Sequence, residues 1–96
     1  MKTVGIFANP SKKGVAGAVE AVTSWCGLHG LNVRVDEVIG DRAGEGVASA
    51  TPEELASGSD LAFAFGGDGT LLHAVRVIAS AGRETPVIGV NLGSLG

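Results

Sequence analysis

The stretch D-L-A-F-A-F-G-G-D-G-T-L-L-H-A-V-R, Asp60 to Arg76, decides the fold. It is apolar from Leu61 to Phe65, as a strand buried on both faces of a parallel sheet is. Gly66-Gly67-Asp68-Gly69 follows at once. From Thr70 the period changes: Leu71, Leu72, Val75, Ile78 and Ala79 form one stripe of a helix reaching Ala81, with His73, Arg76 and Ser80 on another face and Gly82 as its cap. A buried strand that turns through glycines straight into a helix is the first half of a β-α-β unit. Pro86 to Val90, short and apolar, supplies the next strand.

Upstream the alternation repeats. Lys2 to Ala8 reads as a buried strand, followed by the turn Asn9-Pro10-Ser11-Lys12-Lys13-Gly14. Val15, Ala18, Val19, Val22, Trp25 and Cys26 lie on one helical face and predict a core stripe, ended at Gly30. Leu31 to Val35, extending toward Ile39, reads as a second strand in which Val33 and Val35 alternate with Arg34 and Asp36. Gly40 to Ala50, with three glycines and mixed charge, reads as a loop. Thr51-Pro52-Glu53-Glu54 opens a short helix: a Thr cap, Pro at the first helical position and Glu at the third. The order β-α-β-α-β-α-β predicts an α/β, Rossmann-like parallel sheet in three layers, with residues 1–96 as one domain.

Composition narrows the function. The chain has 96 residues, a net charge of −3 and a single cysteine, Cys26. A basic footprint for nucleic acid is missing, as is a polybasic patch for membranes. No apolar run approaches the ~20 residues that cross a bilayer. One cysteine forms neither an internal disulfide nor a metal cluster, which fits a reducing, cytoplasmic compartment. The mean hydropathy of +0.34 is high for so short a chain. Small domains leave much surface uncovered, so the sequence reads as a piece of a longer or oligomeric protein.

Ligands of open parallel sheets bind beyond the carboxyl ends of the strands. Three loops leave such ends: Asn9 to Gly14, Gly66 to Thr70 and Asn91 to Gly96. The middle one runs into a helix N-terminus, where free N–H groups and the dipole favour phosphate. Asp68 is the exception there, because a carboxylate repels phosphate. It is useful if it binds Mg²⁺ or accepts a proton from an attacking hydroxyl; the other reading is a helix cap. Neither a Walker A motif nor G-x-G-x-x-G occurs.

Gly66 to Arg76, G-G-D-G-T-L-L-H-A-V-R, resembles the GGDG signature of ATP-dependent NAD kinases. The same core occurs in diacylglycerol and sphingosine kinases and, more loosely, in phosphofructokinases. Pro86 to Gly96, P-V-I-G-V-N-L-G-S-L-G, looks like a second NAD kinase segment, and Val4 to Lys12 is similar to that family's first strand and loop. Lipid kinases usually carry Pro-Leu-Gly-Thr in place of Val90-Asn91-Leu92-Gly93. The resemblance implies phosphoryl transfer from ATP, or polyphosphate, to the 2′-hydroxyl of the adenosine ribose of NAD, giving NADP. It implies Asp68 as general base and as a contact for Mg²⁺. Gly66, Gly67, Gly69 and Thr70 would shape the nucleotide loop, with Leu72 near the base or ribose and His73 near the dinucleotide phosphates. Asn91 and Gly93 would line the adjoining loop, and Lys12 and Lys13 would be in reach of ATP phosphates. Members of the family carry a second, mostly β domain that this sequence lacks, so the expectation is an N-terminal domain that is inactive alone and belongs to a homo-oligomer. The competing readings are a diacylglycerol-type lipid kinase and a nucleotide-binding module without catalysis.

Overall fold

The structure is a computed structural model that describes residues 2–39 and 47–92. Its elements are β1 (Thr3–Ala8), α1 (Val15–Leu28), β2 (Asn32–Asp36), β3 (Ala48–Ala50), α2 (Pro52–Gly58), β4 (Leu61–Gly66), α3 (Asp68–Ser80) and β5 (Val87–Asn91). The strands form one parallel sheet in the order β3-β2-β1-β4-β5. Helix α1 covers one face and α2 with α3 the other. The three-layer α/β fold expected from the sequence is therefore present.

Strand alternation divides the core in two. Val4, Ile6 and Ala8 of β1 join Val15, Val19 and Cys26 of α1, with Val35 and Phe65. Phe7 points the other way and meets Leu55, Ala56, Ala62, Ala64, Ala74 and Ile78. The second core is rich in alanine, which lets α3 approach the sheet closely.

Both long helices end as glycine predicts. Gly30 and Gly82 have φ of 69° and 72°. Leu31 N–H donates to the Cys26 carbonyl at 2.9 Å and Arg83 N–H to that of Ile78 at 3.1 Å, the bond pattern of a Schellman motif. Helix α2 begins with a complete capping box: Thr51 Oγ1 accepts from Glu54 N–H at 3.2 Å and Glu54 Oε1 from Thr51 N–H at 2.9 Å. The hydrogen bonds from Thr51 hold the Glu54 carboxyl below its ordinary pKa. That contribution is therefore present above the ordinary carboxylate pKa and lost as pH falls through the lowered one. Thr51→Ala is expected to cost about 1 kcal/mol, read as a lower urea midpoint at unchanged slope.

Three expectations need correction. Residues 48–50 form an edge strand, β3, where a loop was expected; Arg34, Val35 and Asp36 pair with Ala48, Ser49 and Ala50. So short a strand carries no alternation of its own and exists through its pairing. Trp25 is 55% exposed rather than core. It lies at the rim of the α1 stripe, its ring against His29 at 4.0 Å, and no second described helix flanks α1 on that face. In α3 the buried residues are Ala74 and Ile78, with Leu71 and Val77 half-buried, while Leu72 and Val75 are 48% and 45% exposed. The stripe is rotated by about a quarter turn, because close packing on Ala62, Ala64 and Gly89 favours Ala74 over the larger residues. Smaller shifts of boundary extend α3 back to Asp68 and β5 on to Asn91.

Candidate nucleotide site at the switch point

The chain leaves β1 toward β2 on one side and β4 toward β5 on the other, so the order reverses between β1 and β4. Open α/β sheets bind ligands at such a point, beyond the carboxyl ends. Asn9 follows β1, and its N–H donates to the Phe65 carbonyl at 2.9 Å, tying the two strand ends together. Its Oδ1 accepts from the N–H and Oγ of Ser11 at 3.0 and 2.7 Å, which tightens the first turn.

The glycine-rich loop divides two clefts. The larger, about 590 Å³, is lined by Asn9, Pro10, Asp36, Glu37, Gly69, Thr70 and His73, among others. The smaller, about 190 Å³, is lined by Gly67, Asp68, Leu71, Gly89 and Asn91 with their neighbours. The larger falls within the ~300–1,000 Å³ of small-molecule sites. A groove of about 580 Å³ near the amino ends of β1 and β2 has Arg34 as its one charged lining residue and offers no comparable set of groups.

Gly66 ends β4. A Cβ there would run into the Thr70 side chain and lie 3.2 Å from Asn9 Cβ, so only glycine lets these elements converge. Gly66 pairs with Asn91 in register, and its carbonyl accepts from Leu92 N–H at 2.8 Å. Gly67 is the N-cap of α3 and makes no side-chain cap. Asp68 is thus the first helical residue and not the cap. Its carboxylate is exposed, and no side chain among the described residues bonds it. The capping reading of Asp68 is corrected; a carboxylate free for chemistry remains. In the first turn Thr70 N–H donates to the Gly67 carbonyl at 3.1 Å, and the N–H groups of Asp68 and Gly69 precede the first intrahelical bond.

The structure gathers most of the expected residues. Gly69, Thr70 and His73 line the large cleft, and Gly67, Asp68 and Asn91 the small one, with Gly66 between. Leu72 lines neither and faces outward. Gly93 lies outside the described residues. Lys12 is half-buried, with its Cε beside Gly67, whereas Lys13 and Arg76 are exposed. The exposed His73 ring meets Phe7 edge-on at 6.1 Å.

Sequence reasoning missed Asp36, which strand alternation set outward with Arg34. It is 6% exposed and lines the large cleft at the carboxyl end of β2. Its Oδ1 accepts from Val38 N–H at 3.1 Å. Burial pushes its pKa up, opposed by the Val38 N–H and by His73 of α3 and reinforced by Glu53 of α2. The signal available was positional: an acid where the second strand of a parallel sheet ends.

Among the described residues, no group of three or more His, Cys, Asp or Glu is placed to hold a metal ion. Mg²⁺ does not need such a group, because it binds through one or two carboxylates together with substrate phosphates. The unbonded Asp68 carboxylate fits that mode of binding.

These features define an α/β domain with a glycine-rich turn at the switch point of its sheet. The family is shown directly: residues 4–96 match the ATP-NAD kinase N-terminal domain, and the chain belongs to that family. It is 40% identical over all 96 residues to an NAD kinase of Solibacter usitatus (strain Ellin6076), covering 32% of that protein. It is 38% identical over the same span to one of Geobacter sulfurreducens, covering 33%. The chain thus spans about a third of the length of these relatives. All of it superposes on a third of yeast NADH kinase, solved in complex with NADH, with a TM-score of 0.73 at 22% identity; this likeness concerns the fold. No helix among the described residues is long and apolar enough to cross a membrane.

Proposed function

We propose that the complete protein containing this chain transfers the γ-phosphoryl group of ATP, or of polyphosphate, to the 2′-hydroxyl of the adenosine ribose of NAD, giving NADP. Residues 1–96 are its N-terminal nucleotide-binding domain. The observation that carries the reading is Asp68: an exposed carboxylate at the first position of α3, unused as a cap, beside Asn91 and across the glycine loop from a nucleotide-sized cleft. The donor nucleotide occupies the large cleft and the acceptor ribose approaches from the small one. Asp68 accepts the 2′-hydroxyl proton as that oxygen forms its bond to phosphorus and the bond to the departing diphosphate breaks. The α3 N-terminus faces the phosphates, with Gly66, Gly67, Gly69 and Thr70 shaping their seat and Lys12 and His73 in reach. Asn91 borders the acceptor, and Gly93, outside the described residues, would belong to the same loop. Mg²⁺, when bound, neutralises phosphate charge, and Asp68 would hold it. Leu72, half-exposed on the first turns of α3, would pack near the base or ribose.

Neither a lipid kinase nor a module without catalysis finds support among the relatives. The protein works in the cytoplasm as a homo-oligomer on this reading; the buried free thiol of Cys26 and the exposed Trp25 and Leu28 support it. The test is an NADP-forming assay with NAD, ATP and Mg²⁺ on the full-length protein and on residues 1–96. Turnover is expected in the long protein and not in the short one, since orienting two nucleotides supplies much of phosphoryl-transfer catalysis. No NADP from the full-length protein would overturn the proposal.

A further inference from the structure

We propose that Asp36 selects the sugar of the donor: its carboxylate accepts hydrogen bonds from the ribose hydroxyls of a ribonucleoside triphosphate in the large cleft, so that the protein prefers this ligand to its 2′-deoxy counterpart. The inference rests on the phosphoryl-transfer reading for its choice of ligand and deepens it.

Burying a carboxylate is costly unless hydrogen bonds satisfy it. Asp36 is more than nine-tenths buried, yet its one hydrogen bond among the described residues goes to Oδ1, from Val38 N–H. Oδ2 has none among them and is not sealed from solvent, so it opens to the cleft that the residue lines. An ionised carboxylate only accepts hydrogen bonds, so a ligand that displaces water from Oδ2 must bring a donor. A phosphate is excluded by charge, whereas the paired hydroxyls of a ribose supply uncharged donors. Glu37 lines the same cleft but is exposed, so it is less fixed in place than Asp36.

Position agrees with chemistry. β2 neighbours β1, and β1 neighbours β4. Two strand spacings of about 4.8 Å therefore separate the end of β2 from the glycine loop. That separation is comparable to the span from the ribose to the terminal phosphate of a nucleoside triphosphate. With phosphates at the α3 N-terminus, the sugar falls at Asp36. His73 and Glu53 act on the carboxylate from α3 and α2 with opposite signs, and neither supplies the missing hydrogen bond.

Binding of ATP and of 2′-deoxy-ATP to the full-length protein, by calorimetry alongside turnover, tests this. The wild type is expected to bind ATP on the order of 10-fold more tightly, the size of one lost hydrogen bond to a charged group. Asp36→Asn keeps the shape and an acceptor for Val38 N–H. It is expected to weaken ATP about 10-fold and to bring the two ligands within about twofold of each other, with kcat at saturating ATP and KM for NAD unchanged. No preference in the wild type would overturn the proposal without any variant. So would a preference that survives in Asp36→Asn, or a change confined to KM for NAD. The two readings fail separately: NADP formed without sugar preference removes Asp36 alone, and sugar preference without NADP removes the phosphoryl-transfer reading alone.

Discussion

Asp68→Ala and Asp68→Asn in the full-length protein are expected to lower kcat by about 10²–10⁴-fold, the usual contribution of a general base, while the fold stays intact. Had Asp68 capped α3, its removal would cost helix stability whatever its chemistry. Gly67 occupies the cap and Asp68 bonds no described side chain, so only its interaction with the helix dipole is lost, less than about 1 kcal/mol. Urea midpoints and circular dichroism should therefore barely move while turnover collapses. Asn retains shape and hydrogen bonding but takes no proton at neutral pH, so Asn should be as poor as Ala. If raised Mg²⁺ restored kcat in Asp68→Asn, the carboxylate would serve the metal rather than the proton. Near-wild-type kinetics in both variants would remove Asp68 from the mechanism.

What the sequence reveals depends on whether the cause is local. The capping box at Thr51 and the glycine ends at Gly30 and Gly82 are legible because each is satisfied within a few residues. The glycine loop is legible for the same reason: a buried strand, a turn and a helix start stand consecutively. Strand β3 is illegible because its cause lies in β2, which pairs with it. Trp25 and the α3 stripe mislead for a related reason. Periodicity weighs large apolar side chains, but the sheet decides which face is inside, and close packing against alanines favours Ala74 over Leu72. Asp36 shows the limit most clearly. Alternation sets it outward with Arg34, and only the placement of α2 and α3 on that face turns an apparently solvated acid into a buried one beside the clefts' glycine loop.

That acid carries a stability signature of its own. Its folded pKa lies above the ordinary carboxylate value, chiefly through burial, so folding favours its protonated form. The native state then binds more protons than the unfolded state between the two pKa values, and stability declines as pH rises through that window. Asp36→Asn is expected to be more stable than the wild type at neutral pH, with the gap closing as pH falls below the ordinary carboxylate range. Paired melts at neutral and acidic pH read this directly, and equal melts at neutral pH would show that burial costs Asp36 nothing. A variant more stable but poorer at binding is what a residue kept for function gives.

Gly66→Ala is expected to damage stability and activity together, by about 1–3 kcal/mol from overpacking and by about 10²-fold in kcat/KM. Gly66 is where β4, the first turn of α3 and the end of β1 converge. Its added Cβ would press on the Thr70 side chain and on Asn9 Cβ while the Gly66 carbonyl is held by Leu92 N–H. The strand cannot retreat without breaking its register with Asn91. The strain therefore falls on Thr70 and moves the α3 N-terminus, which carries Asp68. A displacement of about 1 Å there suffices for the stated loss of rate. A double-mutant cycle with Thr70→Ala separates the two consequences. Removing the Thr70 hydroxyl and methyl gives the new Cβ room, so the double variant should recover much of the stability, with a coupling of about 0.5–3 kcal/mol. Simple additivity would place the clash on Asn9 instead. Recovered stability with persistent loss of turnover would show that Thr70 also belongs to the phosphate seat.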